Sequence, residues 1–255
     1  MIKSVRIKQN TAYIAKRCPL FTTIIKSCLL KEGMTPKGRK YFSTDGINDC
    51  FNGKVYKAGF FKMMGNTIYT IGHSNHTAED FLKLLNQHNI SAVADVRSSP
   101  YSRRNPQFKY KALAKLLHDN SIAYIYLGKE LGARPEDPYC YIDGRVSFKL
   151  LAEASLFKHG IDRLVKGAET YKIAIMCAEK EPLACHRTIL VSQYLVKCGL
   201  NVYHILANGQ LESHAQTTQR LLDQLGMQNN ELFRSRDEVI DEAFAKREQE
   251  IAYTK

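Results

Sequence analysis

Short apolar runs alternate with segments of helical periodicity along this chain from residue 66 onward. The apolar runs lie at 67–71, 91–96, 122–126, 172–176 and 201–205. The helical segments lie at 77–88, 110–120, 148–165, 187–198 and 215–225. Strands that alternate with helices form βαβ units, and short, mostly apolar strands are typical of a sheet covered on both faces. We therefore expect an α/β fold, with a parallel, Rossmann-like sheet of about five strands and helices on both faces.

The charge is spread unevenly, and this divides the chain. The net charge is +12 over 255 residues, but residues 1–62 hold 13 lysines and arginines against three acids. The remaining residues carry 24 basic and 22 acidic groups. We expect a basic, irregular segment at 1–62, an α/β domain at 63–227 and a charged helix or tail at 228–255. Because the domain itself is nearly neutral, the total charge is weak evidence for a nucleic-acid partner.

Residues 1–62 lack clear periodicity and are rich in lysine, arginine, serine and threonine. Three interpretations fit this composition. The segment is a mitochondrial transit peptide, a basic interaction arm, or a stretch outside the native protein, whose start is then Met63 or Met64. The missing periodicity predicts that the segment is dispensable for folding.

Hydropathy and cysteine usage limit the cellular setting. No apolar run approaches the roughly 18 residues that cross a bilayer, so no membrane partner is expected. The seven cysteines are odd in number and follow no secretory signal. This pattern favours reduced thiols and a cytoplasmic location over a disulfide framework. The oligomeric state stays open.

Polar residues follow three of the predicted strands. They lie at 72–74, at 95–97, and at 177–179 together with 185–187. The carboxyl ends of parallel strands open onto one edge of a sheet, where helix N-termini also favour an anion. We therefore expect one pocket there, formed by His73, Asp95, Arg97, Glu179, Cys185 and Arg187.

Asp95 and Arg97 are two residues apart on a strand, so their side chains point to the same face. A charged pair that ends an apolar strand must be satisfied by a partner. It is either a structural ion pair that holds the next loop, or a site in which Arg97 grips an anion while Asp95 orients Arg97 or acts as a base.

The loop at 98–110 mixes basic and aromatic residues, among them Arg103 and Phe108. Such a mixture suits phosphate contacts combined with base stacking. The competing interpretation is a solvated loop with Phe108 folded onto the core.

Cys185 precedes a predicted helix and is followed by His186 and Arg187. A thiol in this setting has the usual conditions for a lowered pKa, which makes Cys185 a candidate nucleophile activated by His186 or by another histidine nearer in space. The alternative is a small buried residue. Pro182 and the polar run at 179–181 predict an open loop and partial exposure of Cys185. Glu179 is the acid/base candidate of that run.

The candidate residues fall into two groups. The catalytic candidates are Cys185, Asp95, Glu179 and His73. The candidates for binding a substrate or anion are Arg97, Arg187, Ser74, His186 and Arg103.

Metal and cofactor binding are weighed on the same residues. Cys177, Cys185, His186 and His73 offer four ligands, but their spacing matches no usual paired zinc pattern, and adjacent residues rarely share an ion. No metal is expected. The chain has no Gly-rich phosphate loop of either standard type, so no cofactor is expected either.

These residues, in this order, resemble a known family. The resemblance rests on Tyr69-Thr-Ile-Gly-His-Ser74, Asp95-Val-Arg97, Pro100, Ser102, Phe108, Met176-Cys-Ala-Glu179, Pro182, Cys185-His-Arg187 and Val202-Tyr-His-Ile205. This pattern is similar to that of the domain of unknown function 488 family, over about residues 66–210. The family has no agreed activity. The resemblance therefore implies a cytosolic single domain and these site residues, but no reaction.

Two functions from different classes fit these residues. The first is an enzyme that acts on a phosphorylated or nucleotide-like substrate, held by Arg97 and Arg187. The second is a non-catalytic module that binds nucleic acid or a nucleotide through the same arginines and the loop at 103–110. The expected partner is thus a small anionic or nucleotide-like ligand, with nucleic acid as the alternative.

Overall fold

The structure, a computed structural model, describes residues 50–51, 54–55, 66–227 and 234–255. Most of the predicted N-terminal segment therefore lies outside the described residues. Its two described pieces, β1 (Cys50–Phe51) and β2 (Lys54–Val55), pair antiparallel. Among the helices that the structure describes, none combines the length and the apolar character needed to cross a membrane.

The central sheet is α/β in type, as the alternating pattern predicts. The strands that follow β2 are β3 (Thr67–Gly72), β4 (Ala92–Asp95), β5 (Ala123–Tyr126), β6 (Tyr141–Ile142), β7 (Arg145–Val146), β8 (Ile173–Cys177), β9 (Asn201–Ile205) and β10 (Leu211–Ser213). Six of them form a sheet in the order β10-β9-β3-β8-β4-β5. The five predicted strands are its parallel members, and β10 adds an edge antiparallel to β9. β6 and β7 form a separate hairpin.

Helices surround this sheet. They are α1 (Ala78–Gln87), α2 (Tyr110–Asp119), α3 (Gly128–Leu131), α4 (Phe148–Glu153), α5 (Ser155–Gly167), α6 (Gln193–Lys197), α7 (His214–Gln224) and α8 (Arg236–Ile251). The segment predicted as one helix at 148–165 is two, because Ala154 adopts an extended backbone between α4 and α5. The segment predicted as one helix at 187–198 begins with a π-helical stretch, Arg187–Ser192, that runs directly into α6.

Local sequence signals explain where several helices begin. The Thr77 side chain accepts a hydrogen bond from the Asp80 backbone N–H at 3.1 Å and so caps α1. Ser213 and Gln216 form a complete capping box at the start of α7. α8 starts with the same device and packs onto the domain through Val239 and Phe244, which belong to its core.

Side-chain alternation along the strands separates two apolar cores. On β4, Val93 belongs to the core that also contains residues of α1 and α2. Its neighbours Ala92 and Ala94 belong to the other core, shared with α4, α5, α7 and α8. Both faces of the sheet are therefore covered, as expected for a mainly parallel sheet.

The strand order brings three carboxyl ends together. β8 lies between β3 and β4, with Gly72 beside Cys177 and Asp95 beside Met176. The Ser74 backbone N–H then donates to Ala178 O at 2.9 Å, which extends the contact between β3 and β8 past the strand ends. The polar residues that follow these strands therefore meet at one edge of the sheet.

Candidate functional site

A buried ion pair lies at the end of β4. Arg97 donates from Nε to Asp95 Oδ1 at 2.9 Å and from one terminal nitrogen to Asp95 Oδ2 at 2.6 Å. The Arg97 backbone N–H and the Tyr124 hydroxyl also donate to this carboxylate, at 3.1 and 2.8 Å. Asp95 is completely buried and Arg97 is 5% exposed. Burial alone would lower the pKa of Arg97, but the hydrogen bonds and charge of Asp95 raise it above its ordinary value.

His73 completes this group from the end of β3. Its Nδ1 lies 2.9 Å from Ser74 O, and its Nε2 lies 3.2 Å from the second terminal nitrogen of Arg97. A neutral ring with the proton on Nδ1 satisfies both contacts, because Nε2 then accepts from Arg97. Burial, followed by the charge of Arg97, lowers the pKa of His73 to about 4. The ring also stacks on Phe108, with 4.3 Å between centroids.

An open cleft of about 360 Å³ borders this group. Its lining includes Arg97, Arg103, Arg104, Ser74, Ser99 and Ser102. The loop after β4 builds one wall, and the Asn105 side chain fastens it by donating to Ser74 O at 3.1 Å. Ser74 itself has a φ of +45°, in the left-handed region that few residues other than glycine adopt. Arginines and hydroxyls in one concave surface suit an anionic, oxygen-rich ligand.

A second cluster, which we call the thiol cluster, consists of Cys177, Cys185 and His186. His186 Nδ1 lies 3.8 Å from Cys177 Sγ and 3.9 Å from Cys185 Sγ. The other ring nitrogen, Nε2, lies 3.2 Å from Val96 O. All three residues are buried, with Cys185 only 1% exposed. The cluster therefore faces the protein interior and does not open onto the cleft.

The two thiols of this cluster differ in acidity. Burial would raise the pKa of Cys185, but hydrogen bonding with Cys177 and the charges of Arg187 and His186 hold it well below its ordinary value. Hydrogen bonding with Cys185, together with burial, raises the pKa of Cys177. Burial would lower the pKa of His186, and its contacts with Cys185 raise it instead. Cys185 is thus the more acidic thiol, and Cys177 retains its proton.

Glu179 links the thiol cluster to solvent. The residue is exposed as a whole, yet its Oε2 lies 2.9 Å from Cys185 Sγ. Enclosure of this carboxylate and the neighbouring Cys185 raise the pKa of Glu179. A Cβ on Gly72 would meet Glu179 O at 1.9 Å, so only glycine lets the backbone past β8 run this close to β3.

Arg187 holds the same backbone from the other side. It is completely buried, and its guanidinium donates to Glu179 O at 2.6 Å and to Lys180 O at 3.3 Å. The Ser192 hydroxyl donates to Arg187 O at 2.7 Å within the π-helical stretch. Short π-helical stretches recur at functional sites, where they reposition side chains.

The predicted site residues thus divide between two places. His73, Ser74, Arg97 and Arg103 line the cleft, with Asp95 behind Arg97. Cys185, His186 and Glu179 form or touch the thiol cluster. Arg187 and His186, expected at an anion, do not line the cleft, because Arg187 donates to backbone carbonyls and His186 faces two sulfurs. The partial exposure predicted for Cys185 is wrong, since the loop from Glu179 folds over the thiol.

Sequence reasoning passed over three residues of the site. Cys177 was considered only as one of four possible metal ligands and not as a site residue, yet its sulfur faces His186. Tyr124 lies on β5 and donates to Asp95, a contact that only the pairing of β4 with β5 reveals. Arg104 lines the cleft beside Arg103, and the basic character of the loop was the signal for it.

Comparison with known proteins finds a family whose model matches part of the chain. No curated protein and no solved structure matches it. Residues 77–194 match the family described as domain of unknown function DUF488, which confirms the family predicted from the motifs and covers a shorter stretch than the motifs do. The matched region runs from the cap of α1 into α6 and contains Asp95, Arg97 and the whole thiol cluster. Through this region, the chain resembles the DUF488 family.

Proposed function

We propose that the cleft binds a phosphorylated or nucleotide-like ligand. The observation that carries this proposal is the position of Arg97, which lines the cleft and is fixed by Asp95 behind it. A guanidinium has five N–H donors, and three of those on Arg97 are used by Asp95 and His73. The other two N–H groups of this fixed guanidinium meet no acceptor among the described residues and are available to a phosphate group.

The charge around the cleft supports an anion. Asp95 balances Arg97, so the net positive charge of the lining comes from Arg103 and Arg104, whose side chains are exposed. A volume of about 360 Å³ is at the small end of the range for sites that enclose a small molecule. A single nucleotide or sugar phosphate fits these dimensions better than a folded nucleic acid does. The exposed ring of Tyr101, which also lines the cleft, offers a face for a base.

A second candidate function is an enzyme that acts on the same ligand. One observation favours it: Glu179 directly follows Ala178, a residue of the cleft lining, and is exposed. The Glu179 carboxylate contacts Cys185 in the structure and has to rotate towards the cleft to act as a general acid or base on a bound phosphate ester. Asp95 is less suited to that role, because its carboxylate already accepts hydrogen bonds from Arg97 and Tyr124.

Titration calorimetry on the full chain tests the binding proposal with three probes: inorganic phosphate, a nucleoside monophosphate and a short single-stranded oligonucleotide. We expect the monophosphate to bind more tightly than phosphate. Arg103→Ala and Arg104→Ala should each weaken binding about tenfold, since a charge-assisted hydrogen bond contributes about 1.5 kcal/mol. Arg236→Ala is the matched control, because Arg236 is an exposed arginine outside the cleft.

The outcomes separate the alternatives. Equal affinity in wild type, Arg103→Ala and Arg104→Ala would overturn the cleft as the binding site. If the oligonucleotide binds much more tightly than the monophosphate, the result favours the nucleic-acid binding module. Following the bound monophosphate by ³¹P NMR decides between binding and catalysis: turnover that Glu179→Gln abolishes supports the enzyme, and an unchanged spectrum supports the binding module.

A further inference from the structure

Three side chains that ligate metals well converge in the thiol cluster. Cys177 closes β8, whereas Cys185 and His186 precede the π-helical stretch. The two Sγ atoms and one His186 ring nitrogen all lie within 4.8 Å of one another. We propose that Cys177, Cys185 and His186 bind a zinc ion, with Glu179 at the fourth position. This inference does not rest on the cleft or on its ligand.

The distances match a tetrahedral site. With Zn–S near 2.3 Å and Zn–N near 2.0–2.1 Å, the sulfur and nitrogen ligands of a tetrahedral zinc ion lie about 3.6 Å apart. In the structure, His186 Nδ1 lies 3.8 Å from Cys177 Sγ and 3.9 Å from Cys185 Sγ. These two distances exceed the tetrahedral value by a few tenths of an ångström, and the two sulfur atoms lie within 4.8 Å of each other.

The orientation of His186 is that of a metal ligand. Its Nε2 lies 3.2 Å from Val96 O and can only donate there, because a carbonyl oxygen has no proton. The Nδ1 lone pair then points towards both sulfurs. Metal-ligating histidines commonly fix their ring by donating the opposite N–H to a carbonyl oxygen. The Arg187 backbone N–H, 3.5 Å from Cys185 Sγ, adds a hydrogen bond of the kind that stabilises a bound thiolate.

Glu179 is assigned to the fourth position because its Oε2 accepts a hydrogen bond from Cys185 Sγ at 2.9 Å. As Glu179 is exposed, its side chain can shift slightly to reach the ion. Two thiolates, one imidazole and one carboxylate are a donor set that zinc accepts. Two thiolates and a carboxylate around Zn²⁺ leave a net charge of −1. The buried guanidinium of Arg187, which directly follows His186, balances this charge.

The competing explanation is a hydrogen-bonded thiol–imidazole group in which a proton takes the place of the metal. Both explanations use the same contacts, so the cluster has to be tested for metal directly. The full chain should be purified without chelators and in the presence of a reductant, and its metal content measured by mass spectrometry. We expect one zinc ion per chain. Replacing it with Co²⁺ should give the visible bands of a tetrahedral site and a thiolate-to-cobalt charge-transfer band.

Variants then locate the ion. Cys177→Ser and Cys185→Ser should lose zinc and the charge-transfer band, whereas Cys198→Ser, which changes a cysteine outside the cluster, should keep both. Glu179→Gln should keep the band but lose zinc faster to a chelator. If the serine variants fail to fold, X-ray absorption at the zinc edge of the wild type still decides, since it should show two sulfur ligands near 2.3 Å. Reduced protein without zinc that gives no thiolate band with Co²⁺ would overturn the proposal, as would a band that survives in Cys177→Ser and Cys185→Ser.

Discussion

The cleft and the thiol cluster lie at the same edge of the sheet but belong to opposite faces. Asp95 and Arg97 share the face of Val93, on the side of α1 and α2, whereas Val96 between them belongs to the opposite core together with Cys177 and Cys185. The Val96 carbonyl oxygen is hydrogen-bonded to His186, while its neighbours Asp95 and Arg97 form the ion pair beside the cleft. Two sites can therefore share one strand end, because alternate side chains point to opposite faces.

The two regions also treat polar groups differently. The cleft leaves Arg103 and Arg104 in solvent and fixes only Arg97, through a buried carboxylate. The thiol cluster encloses its cysteines and imidazole, and the neighbouring Glu179 is exposed. The first arrangement suits a ligand that arrives from solvent, and the second suits a resident ion or a permanent hydrogen-bond network.

The largest expected effect is a loss of stability when the buried ion pair beside the cleft is broken. Asp95→Asn leaves the buried Arg97 charge without its partner, and breaking a buried pair on one side costs about 3–5 kcal/mol of unfolding free energy. Urea unfolding measures this loss. The matched control is Asp119→Asn in the exposed pair of Lys115 and Asp119, where no measurable loss is expected because solvent screens the charges.

The double variant Asp95→Asn with Arg97→Gln sharpens the result. It removes both charges, so it should be more stable than Asp95→Asn alone. If Asp95→Asn is as stable as the wild type, the pair does not fix Arg97, and the argument for a rigid anion site at the cleft fails.

Acid should lower the unfolding free energy through two buried histidines, one on each face of the sheet. The pKa of His73 in the cleft group and that of His214 are both lowered to about 4, in each case first by burial. His214 lies on the same face of the sheet as the thiol cluster, and its Nδ1 is 3.2 Å from His204 Nε2. The nearby charge of Glu212 acts on His214, and those of Arg187 and Arg220 act on His204.

The sign of this effect follows from the lowered pKa. The unfolded chain takes up a proton near pH 6.5 and the folded chain only near pH 4, so stability is complete above pH 6.5 and falls as the pH drops towards 4. Each histidine contributes up to about 3 kcal/mol to this loss. His214→Gln and His73→Gln should each reduce the difference in unfolding free energy between pH 7 and pH 4. An unchanged difference in both would show that other groups cause the acid sensitivity.

The fold was largely predictable because its signals are local and repeated. Five apolar runs and the helices between them gave the parallel strands, and Thr77 marked the start of α1 correctly. β10 was missed because three residues carry no measurable periodicity, and its pairing with β9 is a tertiary property. The break at Ala154 was missed because alanine is a good helix former, so nothing local predicts an extended residue there.

The site was predictable residue by residue but not in its grouping. The strand-end rule placed His73, Arg97 and Cys185 at one edge, and the structure agrees. The rule does not state the face. The two-residue spacing of Asp95 and Arg97 on a strand predicts that they lie on the same face of the sheet. For Cys185 the sequence predicts no face, because the residue follows a loop. Metal binding was set aside because the spacing matches no paired zinc pattern and because adjacent residues such as Cys185 and His186 rarely share an ion. In the structure, the end of a strand and the residues before a helix come together from separate segments, and His186 Nδ1 lies near both sulfurs.

The smallest expected effect is a change in the rate of cysteine alkylation. This rate tests whether the thiol cluster is shielded from solvent. A low thiol pKa raises the fraction of thiolate, and this alone would make Cys185 react faster with iodoacetamide than other cysteines. The structure opposes this with burial: Cys185 is 1% exposed, whereas Cys198 is half-buried. Alkylation requires the reagent to touch sulfur, so a buried thiolate reacts only when the loop over it opens, whatever its pKa.

We therefore expect Cys185 to be alkylated about tenfold or more slowly than Cys198 in the folded chain at pH 7, since even about 1.4 kcal/mol for local opening reduces the open population tenfold. Peptide mass spectrometry of timed samples measures both rates. A chelator should be present, so that burial and not a bound ion is tested, and the two rates should converge in denaturant. Faster reaction of Cys185 in the folded chain would mean that the loop from Glu179 opens readily, would connect the thiol to the cleft, and would return Cys185 to the role of a nucleophile.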